Sequence, residues 1–235
     1  MSLEGRAIVT RAGRNTGRPA SATRAAGDSG DLFALLRATT PGAQETTQET
    51  TWKPADQLPH DVIVGTVETP VGFLTLGVTA RGLVACSFET EDRVLARLTR
   101  FLPDIGRSET WLEPVRCEIN AYFEGRSCSF SMPLDLRLAS DFGKVVLRSL
   151  LQVDYGETTT EAELARRSGQ DRARRAVVNT VRTNPLCILL PCHRVVPEDY
   201  PQRMGGYAGG GEAKRHLLSL EASHARRRTV TIQAT

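Results

Sequence analysis

The chemistry-bearing residues of this chain gather in one stretch, NPLCILLPCHRVV, Asn184 to Val196. Ile188, Leu189, Leu190 and Pro191 lead straight into Cys192, His193 and Arg194, so a hydrophobic run ends on a thiol, an imidazole and a guanidinium. A thiol reacts as its thiolate, and a neighbouring imidazole accepts the proton directly or through a water. Adjacent residues in an extended chain point opposite ways, which favours a water relay or a turn over direct contact. Such an imidazole needs an orienting partner. On a final helix, about residues 212 to 221, Ala213, Leu217 and Leu220 form an apolar stripe, and Glu221 lies on its edge. A carboxylate at the rim of a buried stripe pairs with something, and His193 is the natural partner. The alternative is a solvated glutamate at a helix end. Asn184-Pro185 marks a turn that the Asn184 amide can bridge. Cys187 reads as an inert core thiol.

The elements that must carry these groups follow from pattern. DVIVGTVET, GFLTLGVTA and GLVACSFET, from Asp61 onward, are short β-rich runs with turn residues between them. Helical spacing predicts one helix from Glu91 to Phe101 and another from Leu112 to Phe123, the second stopping before Gly125. Together these predict a small α/β domain over residues 59–137. A mainly helical domain over residues 138–222 follows. Its first helix covers Gly143 to Val153, with Val145, Val146, Leu150 and Leu151 as the apolar side. Thr160 and Glu163 form a capping box for a helix that ends at Gly169, and Asp171 caps the next, about residues 172 to 183. Two short helices across a tight turn are a helix-turn-helix candidate. On the second, Ala173, Ala176, Val177 and Val181 form an inner stripe. Arg172, Arg175, Asn179 and Arg182 recur at steps of three and four on the opposite face, which suits a nucleic-acid backbone or, more blandly, solvent.

Composition limits the alternatives. Of 235 residues, 40% are hydrophobic and 24% charged, enough for a packed core, and the net charge of +3 says little about partners. Residues 1–58 are poor in large apolar side chains and read as a disordered extension with one short helix, Asp31 to Arg37. The first 24 residues are rich in Arg and poor in acids, which fits a solvated basic tail or an organelle transit peptide. Residues 223–235 read as a basic tail. No run is apolar and long enough to span a membrane, and no signal-peptide core is present. The five cysteines form no CxxC pair and the four histidines are scattered, so neither a zinc site nor any other metal is expected. An odd cysteine count with no pairing fits a reduced, cytoplasmic protein.

NPLCILLPCHRVV resembles the active-site signature of the O6-alkylguanine-DNA alkyltransferases: Asn-Pro, a short apolar run, then Pro-Cys-His-Arg-Val. RRAV, with Arg175 seventeen residues before Cys192, GGYAGG after it and KRHLLSLE at the end extend the likeness, and INAYFEGRSCSF resembles the close of the family's N-terminal domain. The resemblance covers roughly residues 60 to 222. It implies a ribonuclease H-like N-terminal domain and a winged-helix-like C-terminal one. It implies that Cys192 takes an alkyl group from O6 of guanine, or from O4 of thymine, in double-stranded DNA, once per molecule and without a cofactor. His193 and Glu221 then generate the thiolate and Asn184 orders the turn. The implied protein is a monomer that binds the minor-groove side, nucleoid-associated, with the nucleotide flipped out of its stack and Arg175 holding the gap. Arg172, Arg182, Ala176 and Asn179 then belong to the DNA face, and Tyr207, Val195, Ala208, Gly209 and Glu161 to the base pocket.

The chain also departs from the family. Glu161 stands where a tyrosine is usual. Val178 and Asn179 replace small residues, Ala208 a frequent serine and Gly211 a frequent leucine, and the loop from Pro197 to Gly206 is longer than usual. Competing readings are a cysteine hydrolase, which Cys-His adjacency disfavours, a non-catalytic sensor of alkylated DNA, which Cys192 disfavours, and a redox-responsive DNA-binding regulator.

Overall fold

A computed structural model of the chain describes residues 58–233, with side chains through Arg226. The expected extension, its short helix and the transit-peptide reading lie outside the described residues, apart from Leu58.

Three strands form an antiparallel meander: β1 (Val62–Thr69), β2 (Gly72–Thr79) and β3 (Gly82–Ser87). A two-residue strand, β4 (Ile105–Gly106), adds parallel to β1, giving the order β3-β2-β1-β4. The strands are nearly continuous in apolar residues because both sheet faces are covered. Val62, Val64, Val84 and Ala85 face α1 (Glu91–Leu98), which contributes Val94 and Leu98. Ile63, Val67, Leu74, Leu76 and Val78 face α2 (Glu109–Phe123), which contributes Leu112, Val115, Ile119 and Tyr122. Gly65 lets α2 approach closely: a Cβ there would stand 2.4 Å from Leu112 Cδ1.

The second domain contains α3 (Asp141–Ser149), α4 (Glu161–Arg167) and α5 (Arg174–Arg182), which pack on one another. A long α6 (Gly210–Gln233) closes it. Thr160 caps α4 as the sequence predicts, its Oγ1 accepting from Glu163 N at 3.2 Å. The Glu163 carboxylate turns instead to Arg166 and Arg167. Gly169 ends α4 at φ +67°, the left-handed stop that glycine adopts without steric cost. A parallel pair, β5 (Thr159–Thr160) with β6 (Val195–Val196), ties the start of α4 to the segment that follows His193 and Arg194.

Several expected details differ. Helix α1 ends at Leu98, leaving Phe101 59% exposed, and Val145 is 43% exposed on α3. Spacing alone counts both as apolar positions, but one lies past the helix end and the other beside the stripe. Asp171 makes no side-chain cap, since a single 3-10 turn, Asp171–Ala173, precedes α5. Ala176 is exposed, not part of the inner stripe, because it lies one step from Arg175 on the outer arc. Helix α6 runs past Glu221 to Gln233, so the expected tail through that residue is helical. Among the described residues no helix is long and apolar enough to cross a membrane.

The two domains share one core. Cys86 N donates to Pro185 O at 2.8 Å and Cys187 N to Cys86 O at 2.7 Å, so β3 pairs directly with the reactive segment.

Candidate active site

The segment after α5 is a series of tight turns. Asn184 Oδ1 accepts from Leu186 N at 3.0 Å, an Asx-type turn. Its Nδ2 reaches across the loop to Leu190 O at 2.9 Å and to Cys192 Sγ at 3.1 Å. Ile188 takes φ +74°, a conformation that costs a β-branched residue about 1–3 kcal/mol and persists because the surroundings fix it. Pro191, at φ −77° and ψ 62°, is the centre of an inverse γ-turn closed by Cys192 N to Leu190 O at 2.7 Å. Cys192–Arg194 then forms one 3-10 turn. The turn sends successive side chains in different directions: Cys192 toward Asn184, His193 and Arg194 toward Glu221.

Glu221 is completely buried, so the solvated-glutamate alternative does not hold. Its Oε1 accepts from Tyr122 Oη at 2.7 Å, His193 Nε2 at 2.8 Å and Arg194 Nη2 at 2.9 Å. Its Oε2 accepts from Arg194 Nε at 2.8 Å and Gly156 N at 3.1 Å. Burial pushes the carboxyl up, but these donors and the Arg194 charge outweigh it and hold the group well below the usual carboxylate range. Burial holds the His193 pKa below its ordinary value, so the ring is neutral at pH 7. An ionised carboxylate only accepts, so Nε2 carries the ring proton and Nδ1 carries the lone pair. Nδ1 is buried and bonds to no described protein group. Arg194 also donates to Val153 O and stacks 5.6 Å from the Tyr155 ring centroid.

Cys192 is 3% exposed, yet its pKa is lowered. A hydrogen bond from Cys187 contributes most, burial opposes it, and the Asn184 amide and the Lys214 charge assist. Cys187 Sγ lies 3.6 Å from the Asn184 carbonyl, so one asparagine touches both thiols.

Beside this centre is a cavity of about 200 Å³, lined by Glu161, Val177, Val178, Arg182, Val195 and Lys214 among others. An apolar cavity of ~150 Å³ accepts benzene, so this volume suits one flat heterocycle. Of the expected pocket wall, Glu161 and Val195 line it; Tyr207, Ala208 and Gly209 do not. Tyr207 packs edge-on against Phe88 and His193, at 5.5 and 6.2 Å, and its hydroxyl is buried with no described partner. Gly209 lies so near Phe88 that a Cβ would come within 2.7 Å of the ring. Ala208 is exposed. Lys214 is buried, donates to Val195 O at 2.7 Å and Gly206 O at 3.3 Å, and has its pKa lowered by burial to about 8. Glu161 lies 3.7 Å from Arg174, which also meets Glu198 at 3.5 Å. Arg172, Arg175, Asn179 and Arg182 are all exposed as expected. Among the described residues no cluster of His, Cys, Asp and Glu can hold a metal ion.

The sequence marks Arg194 at the end of the apolar run but gives it no role, and marks neither Tyr122 nor Lys214. Arg194 offered a signal, because a guanidinium ending an apolar run must find a carboxylate. Tyr122 offered none: its partner is ninety-nine residues away.

A buried thiol with a donor on its sulfur, a neutral imidazole nearby and an arginine-bearing helix outside describe a two-domain thiol protein with a cationic outer helix face. Family models agree. Residues 141–223 match the DNA-binding domain of 6-O-methylguanine DNA methyltransferase, and residues 62–136 match its ribonuclease-like domain. The chain is 37% identical over 161 residues to the methylated-DNA–protein-cysteine methyltransferase of Mycobacterium bovis, covering 68% of this chain and 92% of that one. It is 36% identical over 163 residues to the same-named protein of Methanosarcina barkeri, covering 68% and 97%. The crystal structure of Mycobacterium tuberculosis OGT in complex with DNA superposes with a TM-score of 0.58 at 34% identity, covering 68% of this chain and 92% of that one. The chain belongs to the 6-O-methylguanine DNA methyltransferase family.

Proposed function

We propose that this protein repairs DNA by direct reversal, moving the alkyl group from O6 of guanine onto Cys192. The observation that carries the reading is the 3.1 Å hydrogen bond from Asn184 Nδ2 to a buried Cys192 sulfur. An amide N–H aimed at sulfur favours the thiolate over the thiol. His193 Nδ1 takes the thiol proton, directly or through a water, and Glu221 and Arg194 hold the ring in the tautomer that allows it. The thiolate attacks the alkyl carbon, a C–S bond forms, the C–O bond breaks, and its electron pair stays on the guanine. The proton returns to the base, which leaves as ordinary guanine. A thioether is not hydrolysed, so each molecule acts once. O4-alkylthymine presents the same leaving chemistry and is the second substrate.

The alkylated nucleotide must leave the stack to reach a thiol that is 3% exposed, and the cavity beside Val195 and Lys214 receives it. Arg175 on α5 fills the gap, with Arg172, Arg182, Ala176 and Asn179 against the minor groove. Tyr207, Ala208 and Gly209 border the approach to the thiol. We read the first domain as ribonuclease H-like, the second as winged-helix-like, and the acting species as a monomer. Retention of Cys192 favours transfer over a purely sensing role.

The test is intact mass after incubation with an O6-methylguanine duplex. One methyl on the Cys192 peptide, none in Cys192→Ala, and no turnover beyond one equivalent are expected. Methyl on Cys187, or repeated turnover, overturns the reading.

A further inference from the structure

Three of the thirty basic residues of the chain are lysines, and one of these, Lys214, is only 1% exposed. Its ammonium is built into the wall of the cavity. Nζ donates to Val195 O at 2.7 Å and to Gly206 O at 3.3 Å, and both residues line that cavity. Gly205 lines it too, and a Cβ there would stand 3.3 Å from the same nitrogen. Lys214 thus joins the two ends of the loop from Pro197 to Gly206 and fixes its own charge at the cavity.

An ammonium carries three donors, and the two carbonyls occupy two of them. Among the described residues no carboxylate forms an ion pair with it; Glu161 and Cys192 act on it through their charge. Burying a cation without a counter-ion is costly unless a negative charge comes to meet it. The rest of the wall offers little to a base in the way of donors. Leu164, Val177, Val178 and Val181 are apolar, the Glu161 carboxylate accepts, and Arg182 is exposed. Lys214 is the buried side-chain donor of this wall.

Alkyl transfer creates the missing charge. As the thiolate attacks, the C–S bond forms, the C–O bond breaks, and the electron pair left on O6 spreads into the ring nitrogens. A donor already fixed where charge develops stabilises it without reorganisation. We infer that Lys214 is a catalytic residue whose third N–H donates to the guanine base in the cavity and whose charge stabilises the anion left by C–O cleavage. The inference rests on the reading of Cys192 as the alkyl acceptor. Lys214 keeps its proton throughout, and the base takes the proton that left Cys192 by way of His193. Burial lowers the Lys214 pKa to about 8, which still leaves the group charged at neutral pH.

The test uses the full chain. Rates are measured for transfer from free O6-benzylguanine and for alkylation of Cys192 by iodoacetamide, whose iodide leaves without a donor. Lys214→Met keeps the stem and removes the ammonium. The ratio of transfer to alkylation is expected to fall about a hundredfold, the loss that follows removal of one donor from an anion site. Taking the ratio cancels any effect of the lysine charge on the thiol itself. A ratio within about threefold of wild type overturns the inference and leaves Lys214 acting on the thiol or the fold. A second measurement needs no Lys214 variant. In Cys192→Ala protein with isotope-labelled lysine side chains, saturating O6-benzylguanine is expected to shift the nuclear magnetic resonance signal of Lys214 and leave that of Lys144 in place. An unmoved Lys214 signal overturns the inference. A shifted signal, in a protein whose wild type takes iodoacetamide but no benzyl group, rejects the alkyl-transfer reading and leaves the base contact standing.

Discussion

His193 Nε2 lies 2.8 Å from Glu221 Oε1, and neither side chain has any solvent exposure. Glu221 also accepts from Tyr122 and from the Nε–Nη2 edge of the Arg194 guanidinium, so one carboxylate serves as orienting group and, among the described residues, as the only counter-charge paired with that buried cation.

Removing that carboxylate should therefore cost stability as well as rate. Glu221→Ala leaves Arg194 buried and unpaired, an arrangement worth about 3–5 kcal/mol. Thermal unfolding is expected to show a large fall in Tm. Glu221→Gln should fall less and still lose transfer, because an amide can face the ring with its N–H₂ and disturb the His193 tautomer. A Glu221→Ala protein that melts with wild type would mean that Arg194 has another counter-ion.

Stability should decline from neutral toward acid pH in two stages. His193 has a pKa below its ordinary 6.5 when folded, so below that pH the unfolded chain binds a proton the folded one refuses. Glu221 is likewise depressed from 4.5, so its contribution is complete above that pH and is lost as pH falls toward the folded value. Urea midpoints are expected to fall as pH drops from about 7 through 5, on the His193 proton, and further toward pH 4 as Glu221 begins to contribute. A flat profile between pH 7 and 5 would contradict a neutral, buried His193.

Asn184→Asp should be nearly inactive and Asn184→Ala slow. The alanine removes donors to Leu190 O and Cys192 Sγ and the acceptor for Leu186 N, in a residue only 4% exposed. The expected loss of stability is about 1–3 kcal/mol. The aspartate sets an anion against the thiolate. An Asn184→Asp variant reacting at the wild-type rate would remove Asn184 from the chemistry.

Arg175→Ala should separate duplex from free base. The side chain is exposed and does not line the cavity, so reaction with O6-benzylguanine should hold within about twofold while transfer from duplex falls tenfold or more, ~1.4 kcal/mol in the barrier. Equal losses on both substrates would assign Arg175 to folding.

Glu161 restrains the DNA face through Arg174. Their 3.7 Å approach leaves the carboxylate, with Glu198 at 3.5 Å on the same guanidinium, partly cancelling the Arg174 charge. Glu161→Gln is expected to bind duplex more tightly, with the salt dependence of log Kd steeper by about one, the signature of one more phosphate contact. Glu161→Tyr should add a donor in the cavity and speed duplex transfer further. If both variants keep wild-type affinity, salt slope and rate, Glu161 is merely a carboxylate at a helix start.

Some of this was legible in sequence because the signals are local. The Thr160 cap, the Asn184 turn and the Glu221 edge position each depend on residues within one or two turns, and each holds in the structure. Periodicity misled where an element ended early, as at Phe101, or where a small residue lay between two faces, as at Ala176. The pairing of Tyr122 with Glu221, the left-handed Ile188 and the meeting of Cys187 and Cys192 on one asparagine carry no pattern. They arise from tertiary closure, which places residues by shape rather than by spacing.

The Tyr122–Glu221 bond has a further meaning in the order of synthesis. Its partners are ninety-nine residues apart, and loop closure over that length grows only slowly in entropic cost, so the contact is affordable once both ends exist. Domains form from the N-terminus as the chain is made. The sheet, Tyr122 and then Cys192 are all synthesised before Glu221 is added. A nascent chain at that stage carries its nucleophile without the carboxylate that orients His193 and balances Arg194. On the proposed mechanism, competence for transfer therefore arrives only with α6.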